Sequence, residues 1–319
     1  MAALRRGGNA LDAAVAAAPP TPCRVAPRSS TIRPVAIGMV AHSALRQSGG
    51  AARVLARLSA STYLRAGGHI VWLGHPEAPL HPRAILAAGP HGHEPDDIRV
   101  DSSGLVPWRP TMPRLDATAA ERLATSWRHL AADIGAIGAP RGFGALIAGG
   151  QLVFPLADAR APAAAFARAC ARDDPAAAAA AALALLGLGD GLTPSGDDYV
   201  GGALFARHLL ATGGLAGRKA WRRAAATVLT AARTRTHPIS LTLVGDLAGG
   251  LGWAPLHELV HALAAGTPAV AAARRLSGLG HASGWDVLAG LGAGLGKLAP
   301  CRPARAGRPI PPVARGLTD

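Results

Sequence analysis

Gly187-Leu-Gly-Asp-Gly-Leu-Thr-Pro-Ser-Gly-Asp-Asp-Tyr-Val-Gly-Gly202 is the stretch from which the architecture can be read. Alternating glycines and a Thr-Pro step exclude a regular element up to residue 194, and an apolar helix follows over 199–211. The core of the stretch, S-G-x-D-x-x-x-G, returns at Ser283-Gly284-Trp285-Asp286-Val287-Leu288-Ala289-Gly290. That copy stands behind another glycine-bearing turn, 278–282, and ahead of a helix over 285–298. In each copy Ser is expected to cap its helix, with the Asp three residues on bonding back to the Ser amide. The Gly four residues after that Asp shares its helix face and permits close packing.

Working outward from the two copies, helical patterns cover 118–134, 161–172, 175–186, 219–233, 240–247, 256–264 and 268–276. Asp173-Asp174-Pro175 is a strong helix start, with carboxylates at the positive end and proline in the first turn. Upstream the pattern changes. Short apolar runs at 35–40, 69–73, 84–88, 98–100 and 104–106, punctuated by Gly, Pro, His and Asp, read as strands. The expected fold class is therefore α+β, a β-rich N-terminal domain followed by a mainly α-helical C-terminal domain. Residues 1–30 read as a disordered extension, 31–113 as the β-rich domain, 114–300 as the helical domain carrying the Gly-rich loop, and 301–319 as a disordered basic tail.

The chain has 319 residues, including 74 Ala, 40 Gly and 26 Pro, and half of them are apolar, enough for a sizeable core. Three cysteines, Cys23, Cys170 and Cys301, are too scattered for a disulfide framework, which fits a reducing cytoplasm. The formal charge of +14 is not gathered into a footprint, because the first 30 and last 19 residues each hold four Arg against one Asp. Few aromatics accompany the arginines, so neither nucleic acid nor a membrane is expected as a partner. The longest apolar run, 175–189, is short of a membrane span.

Three groups of residues could carry chemistry. Around the two S-G-x-D copies, Gly189, Gly191, Thr193, Ser195, Gly196, Ser283 and Gly284 offer hydroxyls and amides at helix N-termini, which suit a small anion. Asp197 and Asp198 cannot hold an anion; they suit a divalent cation or the NH₂ of a carbamoyl group. Asp286 is the equivalent carboxyl of the second copy, and His281 beside it is the natural acid or base. Thr236-His237-Pro238-Ile239-Ser240 adds polar groups, Ser240 among them, before another helix. The second group is His257-Glu258-Leu259-Val260-His261, formally the H-E-x-x-H of zinc hydrolases, with Glu258 as base and His257 and His261 as ligands. Pro255 tells against it by setting His257 in the first turn. Third, His91, His93, Glu94, Asp96 and Asp97 form a loop able to chelate a metal. Capping alone accounts for Ser195, Ser283 and the 236–240 segment, and a solvated loop accounts for 91–97. Cys170, in an Ala-rich helix, reads as buried and inert.

The stretch 187–202 resembles the central motif of the AllH family, named for one subunit of bacterial oxamate carbamoyltransferase. Residues 236–240 leading to Gly249, and 280–286 leading to Gly290, agree with it, and the resemblance runs from about residue 35 to 298. Asp190 and Ala282 depart from the family pattern. The resemblance implies carbamoyl transfer from oxalurate to phosphate, giving oxamate and carbamoyl phosphate, in concert with other subunits of a carbamoyltransferase complex. No cofactor beyond a conceivable divalent metal is implied. The competing expectations are a noncatalytic metabolite-binding or assembly subunit and a metal-dependent hydrolase through the H-E-x-x-H.

Overall fold

The computed structural model describes residues 31–89 and 95–296. The expected extension, the expected basic tail, and His91, His93 and Glu94 lie outside the described residues. A seven-stranded sheet opens the chain and helices follow, an α+β arrangement in that order. The strands are β1 (Thr31–Ile32), β2 (Ala36–Ile37), β3 (Ala51–Arg57), β4 (Ser61–Ala66), β5 (His69–Gly74), β6 (Ala84–Leu86) and β7 (Asp97–Val100), with α1 (Met39–Gln47) between β2 and β3. They lie in the order β1-β7-β3-β4-β5-β6-β2. The β4–β5 hairpin closes on Gly67-Gly68, both at positive φ, between the paired Ala66 and His69. Two such residues form the turn whose twist matches the strands.

Alternation along the strands gives the sheet two apolar faces. Leu64, Val71, Leu73, Ile85 and Ile98 bury against Ala41, Ala44 and Leu45 of α1. Trp72, Ala84 and Leu86, with Tyr63 and Leu80, form the cluster on the other side. Three expectations change here. The run 35–40 is a strand only at Ala36–Ile37, because the chain turns at Gly38 into α1. Gly104–Val106 is a loop with Val106 almost fully exposed. Strands β3 and β4 carry Arg53, Arg57 and Arg65 on exposed positions and so show no apolar run.

The helices are α2 (Ala117–Ala132), α3 (Gly144–Ile147), α4 (Arg160–Ala171), α5 (Pro175–Ala182), α6 (Ser195–Thr212), α7 (Arg218–Ala232), α8 (Pro238–Ala248), α9 (Ala254–Ala265), α10 (Val270–Ser277) and α11 (Ser283–Leu295). Asp116 and Asp174 cap α2 and α5 by accepting from Ala119 N at 2.7 Å and Ala177 N at 3.0 Å. At the centre lie α6 and α11, both buried along most of their length. Among the described residues no helix is long and apolar enough to cross a membrane.

Sheet and helices are joined through buried polar contacts. Arg83, just before β6, donates through Nε and Nη2 to Asp246 of α8, the latter at 2.7 Å, and through Nη1 to Ile70 O at 3.0 Å. Trp253 packs its ring 4.9 Å from that of buried His81, and Ala254 N donates to Leu80 O at 2.7 Å. Burial raises the Asp246 carboxyl while the Arg83 guanidinium pulls it back down.

Candidate functional site

The two S-G-x-D copies meet where α6 and α11 begin. Neither serine is a cap. Pro194 and Ala282 stand in the cap positions, each helix starts at its serine, and neither has a side-chain cap bond. The capping-box expectation fails because the serine and aspartate side chains are exchanged between the helices. The Ser283 hydroxyl hydrogen-bonds the Asp198 carboxyl and the Ser195 hydroxyl that of Asp286. Thr193 Oγ1 lies 3.2 Å from Ser283 Oγ, tying the first loop to the second copy.

Glycines make this exchange possible, and they too come in matched pairs. A Cβ on Gly202 would overlap the Val287 carbonyl, and one on Gly290 the Tyr199 carbonyl. Each glycine thus stands four residues after its own Asp and against the residue that follows the other Asp. Gly196 and Gly284 are equivalent in the same way, because a Cβ would strike the Leu185 or the Leu276 carbonyl. The two copies are therefore related by an approximate two-fold arrangement about the α6–α11 contact.

The three aspartates differ in what they do. Asp197 is 0% exposed and its oxygens are occupied: Oδ1 accepts from Gly187 N at 2.8 Å, and Oδ2 from the Thr236 hydroxyl and from Ser240 Oγ at 2.6 Å. It clamps the Gly-rich loop to the start of α8, where His237 accepts from Ile239 N at 3.2 Å. Asp198, 1% exposed, and Asp286, 0% exposed, each keep an Oδ2 with no partner. Burial drives the Asp198 carboxyl well above the usual carboxylate range, with Asp286 and Asp197 adding to the rise and Ser283 opposing it. Burial likewise lifts Asp286 to about 7, against the Phe143 amide and Ser195, which favour the ionised form. Burial thus favours the protonated form of Asp198, and Asp286 is poised to take or give a proton.

Around these carboxyls lie donors. Gly196 N, Asp197 N and Gly284 N are taken by Leu188 O, Pro194 O and Leu279 O. The amides of residues 189–193 make no hydrogen bond among the described residues. Gly189, at φ 112°, passes against the Ser195 amide, and Gly191 is exposed at φ 87°. His281 is exposed; only its carbonyl is engaged, accepting from Arg141 Nη1 at 3.2 Å. Its ring makes no hydrogen bond to Asp286, which is reached by another segment.

That segment, 138–144, was not anticipated. Phe143 N donates to Asp286 Oδ1 at 2.6 Å, and Gly142, at φ 53°, crosses so close to this carboxyl that a Cβ would overlap it. Phe143 stacks on Tyr199 with ring centroids 4.6 Å apart. The signal was present in Gly138-Ala-Pro-Arg-Gly-Phe-Gly144, a glycine-rich turn like the other two but lacking their S-G-x-D. Tyr63 of β4 is the sheet's contribution: burial, and then the Asp198 charge, push its phenol up to about 12. One tyrosine in a strand that was not foreseen carries no sequence signal.

The H-E-x-x-H does not assemble as a metal site. His257 Nε2 accepts from Gly252 N at 3.1 Å, which fixes the proton on Nδ1, and Nδ1 donates to Thr111 O at 3.0 Å. Burial holds this ring neutral, down to about 4. His261 Nε2 meets the same Thr111 O at 3.1 Å, and Glu258 is paired with Arg275. Both histidines thus lock the connector at Thr111 onto α9. Among the described residues no three His, Cys, Asp or Glu side chains are grouped to hold a metal ion. Asp96 pairs with Arg57 at 2.7 Å. Cys170 is buried, and burial raises its thiol to about 12.

Residues 185–295 match the family model described as oxamate carbamoyltransferase subunit AllH. The AllH match begins just before the Gly-rich loop and ends with α11, so it contains both S-G-x-D copies and the Thr236–Ser240 clamp. It is narrower than the expected 35–298 and leaves out the sheet and the 138–144 turn. No curated protein and no solved structure matches the chain.

Proposed function

We propose that the paired S-G-x-D copies bind a carbamoyl-bearing anion and act in carbamoyl transfer, as one subunit of a larger enzyme. The observation that carries this reading is the pair of orphan Oδ2 atoms on Asp198 and Asp286, buried behind two serines. A primary amide offers two N–H donors and one carbonyl acceptor in a plane. The free oxygen of Asp286 accepts from its NH₂, that of Asp198 faces the nitrogen that leaves, and the amides of 189–193 receive its carbonyl oxygen. As that carbonyl is attacked, charge develops on the oxygen, where fixed amides stabilise it most. The AllH match supports a carbamoyl compound as the substrate class.

Transfer from oxalurate to phosphate is balanced by few groups. A phosphate oxygen forms the new bond to the carbamoyl carbon, the bond from that carbon to the oxamate nitrogen breaks, and that nitrogen takes up a proton. Asp198, whose protonated form burial favours, is the donor we assign, and Asp286 accepts the proton carried by the attacking phosphate. Asp197, Thr236 and Ser240 position the loop, and Ser195 and Ser283 orient the two acids. His281 has no part in this scheme.

Thermal unfolding with oxamate, oxalurate, carbamoyl phosphate and phosphate tests the reading, run on the native protein and on Asp198→Asn. A ligand that binds only the folded state raises the midpoint, by about 2.7 kcal/mol of stabilisation at a hundredfold excess over Kd. The carbamoyl compounds are expected to raise it and Asp198→Asn to abolish the rise. Equal shifts in both proteins would sink the assignment. Binding by the isolated chain without turnover would make it a binding subunit whose catalytic groups need a partner.

A further inference from the structure

We infer that Arg141 is the specificity-determining residue of this site, taking the carboxylate of a ligand whose carbamoyl end lies against Asp198 and Asp286. The inference rests on the carbamoyl reading above and adds the group that selects an acid over a neutral amide. The motif region itself is acidic, with three buried aspartates at the helix entries. An oxamate- or oxalurate-like ligand carries a carboxylate, the group that the planar donors of a guanidinium pair with through two parallel N–H bonds.

Arg141 is held beside the second S-G-x-D copy. Its Nη1 donates to the carbonyl of His281, two residues before Ser283, at 3.2 Å. Two residues further on, the Phe143 amide holds Asp286 Oδ1 at 2.6 Å, and Gly142 lies directly over that carboxyl. The buried Phe143 ring is stacked on Tyr199 of α6, and a Cβ on Gly144 would press into the Trp285 ring at 2.9 Å. The turn is thus pinned to both helices of the site while the Arg141 side chain is exposed. One hydrogen bond, through Nη1, engages a group with five N–H donors, which leaves its Nε–Nη2 edge free for a carboxylate. Arg235, whose carbonyl lies against Gly187 of the Gly-rich loop, donates instead to Leu183 O at 2.9 Å, ahead of the loop in sequence.

Two probes separate the ends of the ligand. Oxamate has a carbamoyl group and a carboxylate; oxamide has carbamoyl groups and no charge. Calorimetric titration of both into native protein, Arg141→Gln, Arg235→Gln and Asp198→Asn should give three distinct patterns. Arg141→Gln is expected to weaken oxamate about tenfold or more, as loss of a charged bidentate contact does, and to leave oxamide unchanged. Arg235→Gln should bind both as the native protein does, and Asp198→Asn should weaken both. Equal weakening of both probes in Arg141→Gln, weakening of neither, or selective loss in Arg235→Gln would each overturn the assignment. If Asp198→Asn binds normally while Arg141→Gln is selective, the carbamoyl reading fails and the carboxylate contact stands. Failure of the native protein to bind either probe overturns both. Arg141 is exposed, so an unchanged midpoint without ligand confirms that the variant folds.

Discussion

Asp286 rests one carboxyl oxygen on the Phe143 amide and leaves the other without a partner, and this has a measurable signature. Its carboxyl titrates at about 7 in the folded protein and near the usual carboxylate value of about 3.9 when unfolded. Between those values the native state holds a proton that the unfolded chain has lost, so this group's contribution to stability falls as pH rises through the window. Asp198 acts in the same direction. His257 acts oppositely: its ring titrates at about 4 folded and about 6.5 unfolded, so its contribution is present above 6.5 and is lost as pH falls towards 4. Asn reproduces the neutral carboxyl. Asp286→Asn is therefore expected to gain on the native protein by up to about 4 kcal/mol between pH 4 and pH 8. Urea unfolding at both pH values measures it, and a gap independent of pH would refute the raised carboxyl.

Contact between α6 and α11 depends on small residues at matched positions. A methyl group at Gly290 must displace the Tyr199 backbone, which no rotamer change can relieve. Gly290→Ala is expected to cost about 3 kcal/mol, at the upper end for overpacking. Gly245 of α8 provides the contrast, since its added Cβ would meet only Leu229 Cδ2 at an ordinary 3.8 Å. Gly245→Ala should be neutral or stabilising by up to about 1 kcal/mol, through helix propensity alone. Thermal melts of the two variants side by side decide the matter. Equal midpoints would mean that α6 and α11 do not pack backbone to backbone.

The sheet is held to the helices by a buried ion pair, Arg83 with Asp246. Removing one partner strands the other charge, whereas removing both replaces the pair with apolar packing. Arg83→Met is expected to lose about 3–5 kcal/mol, and adding Asp246→Leu to restore most of it. Denaturant unfolding of the single and double variants checks this, and a double variant as unstable as the single would show that the pair is not what couples the two parts.

Much of this architecture was written locally. Helix starts at Asp116 and Asp174-Pro175, and the S-G-x-D-x-x-x-G repeat with its packing glycines, follow from side-chain chemistry and the helical period, which any window of the chain displays. Strands β3 and β4 did not, because Arg53, Arg57 and Arg65 interrupt the alternation and only cross-strand pairing supplies their order. Partners across long separations were equally invisible. Local spacing made Ser195 and Asp198 partners within one helix, but folding set Ser195 against Asp286 and Ser283 against Asp198, with Arg141 and Tyr63 drawn in from outside the motif. The H-E-x-x-H shows the same limit: its spacing is that of a metal site, and the groups facing it, Thr111 O and Gly252 N, make it a structural lock. Short-range order fixed which residues start and pack the helices; only the tertiary fold decided which carboxyls would be buried without partners, because burial depends on every element that closes over them.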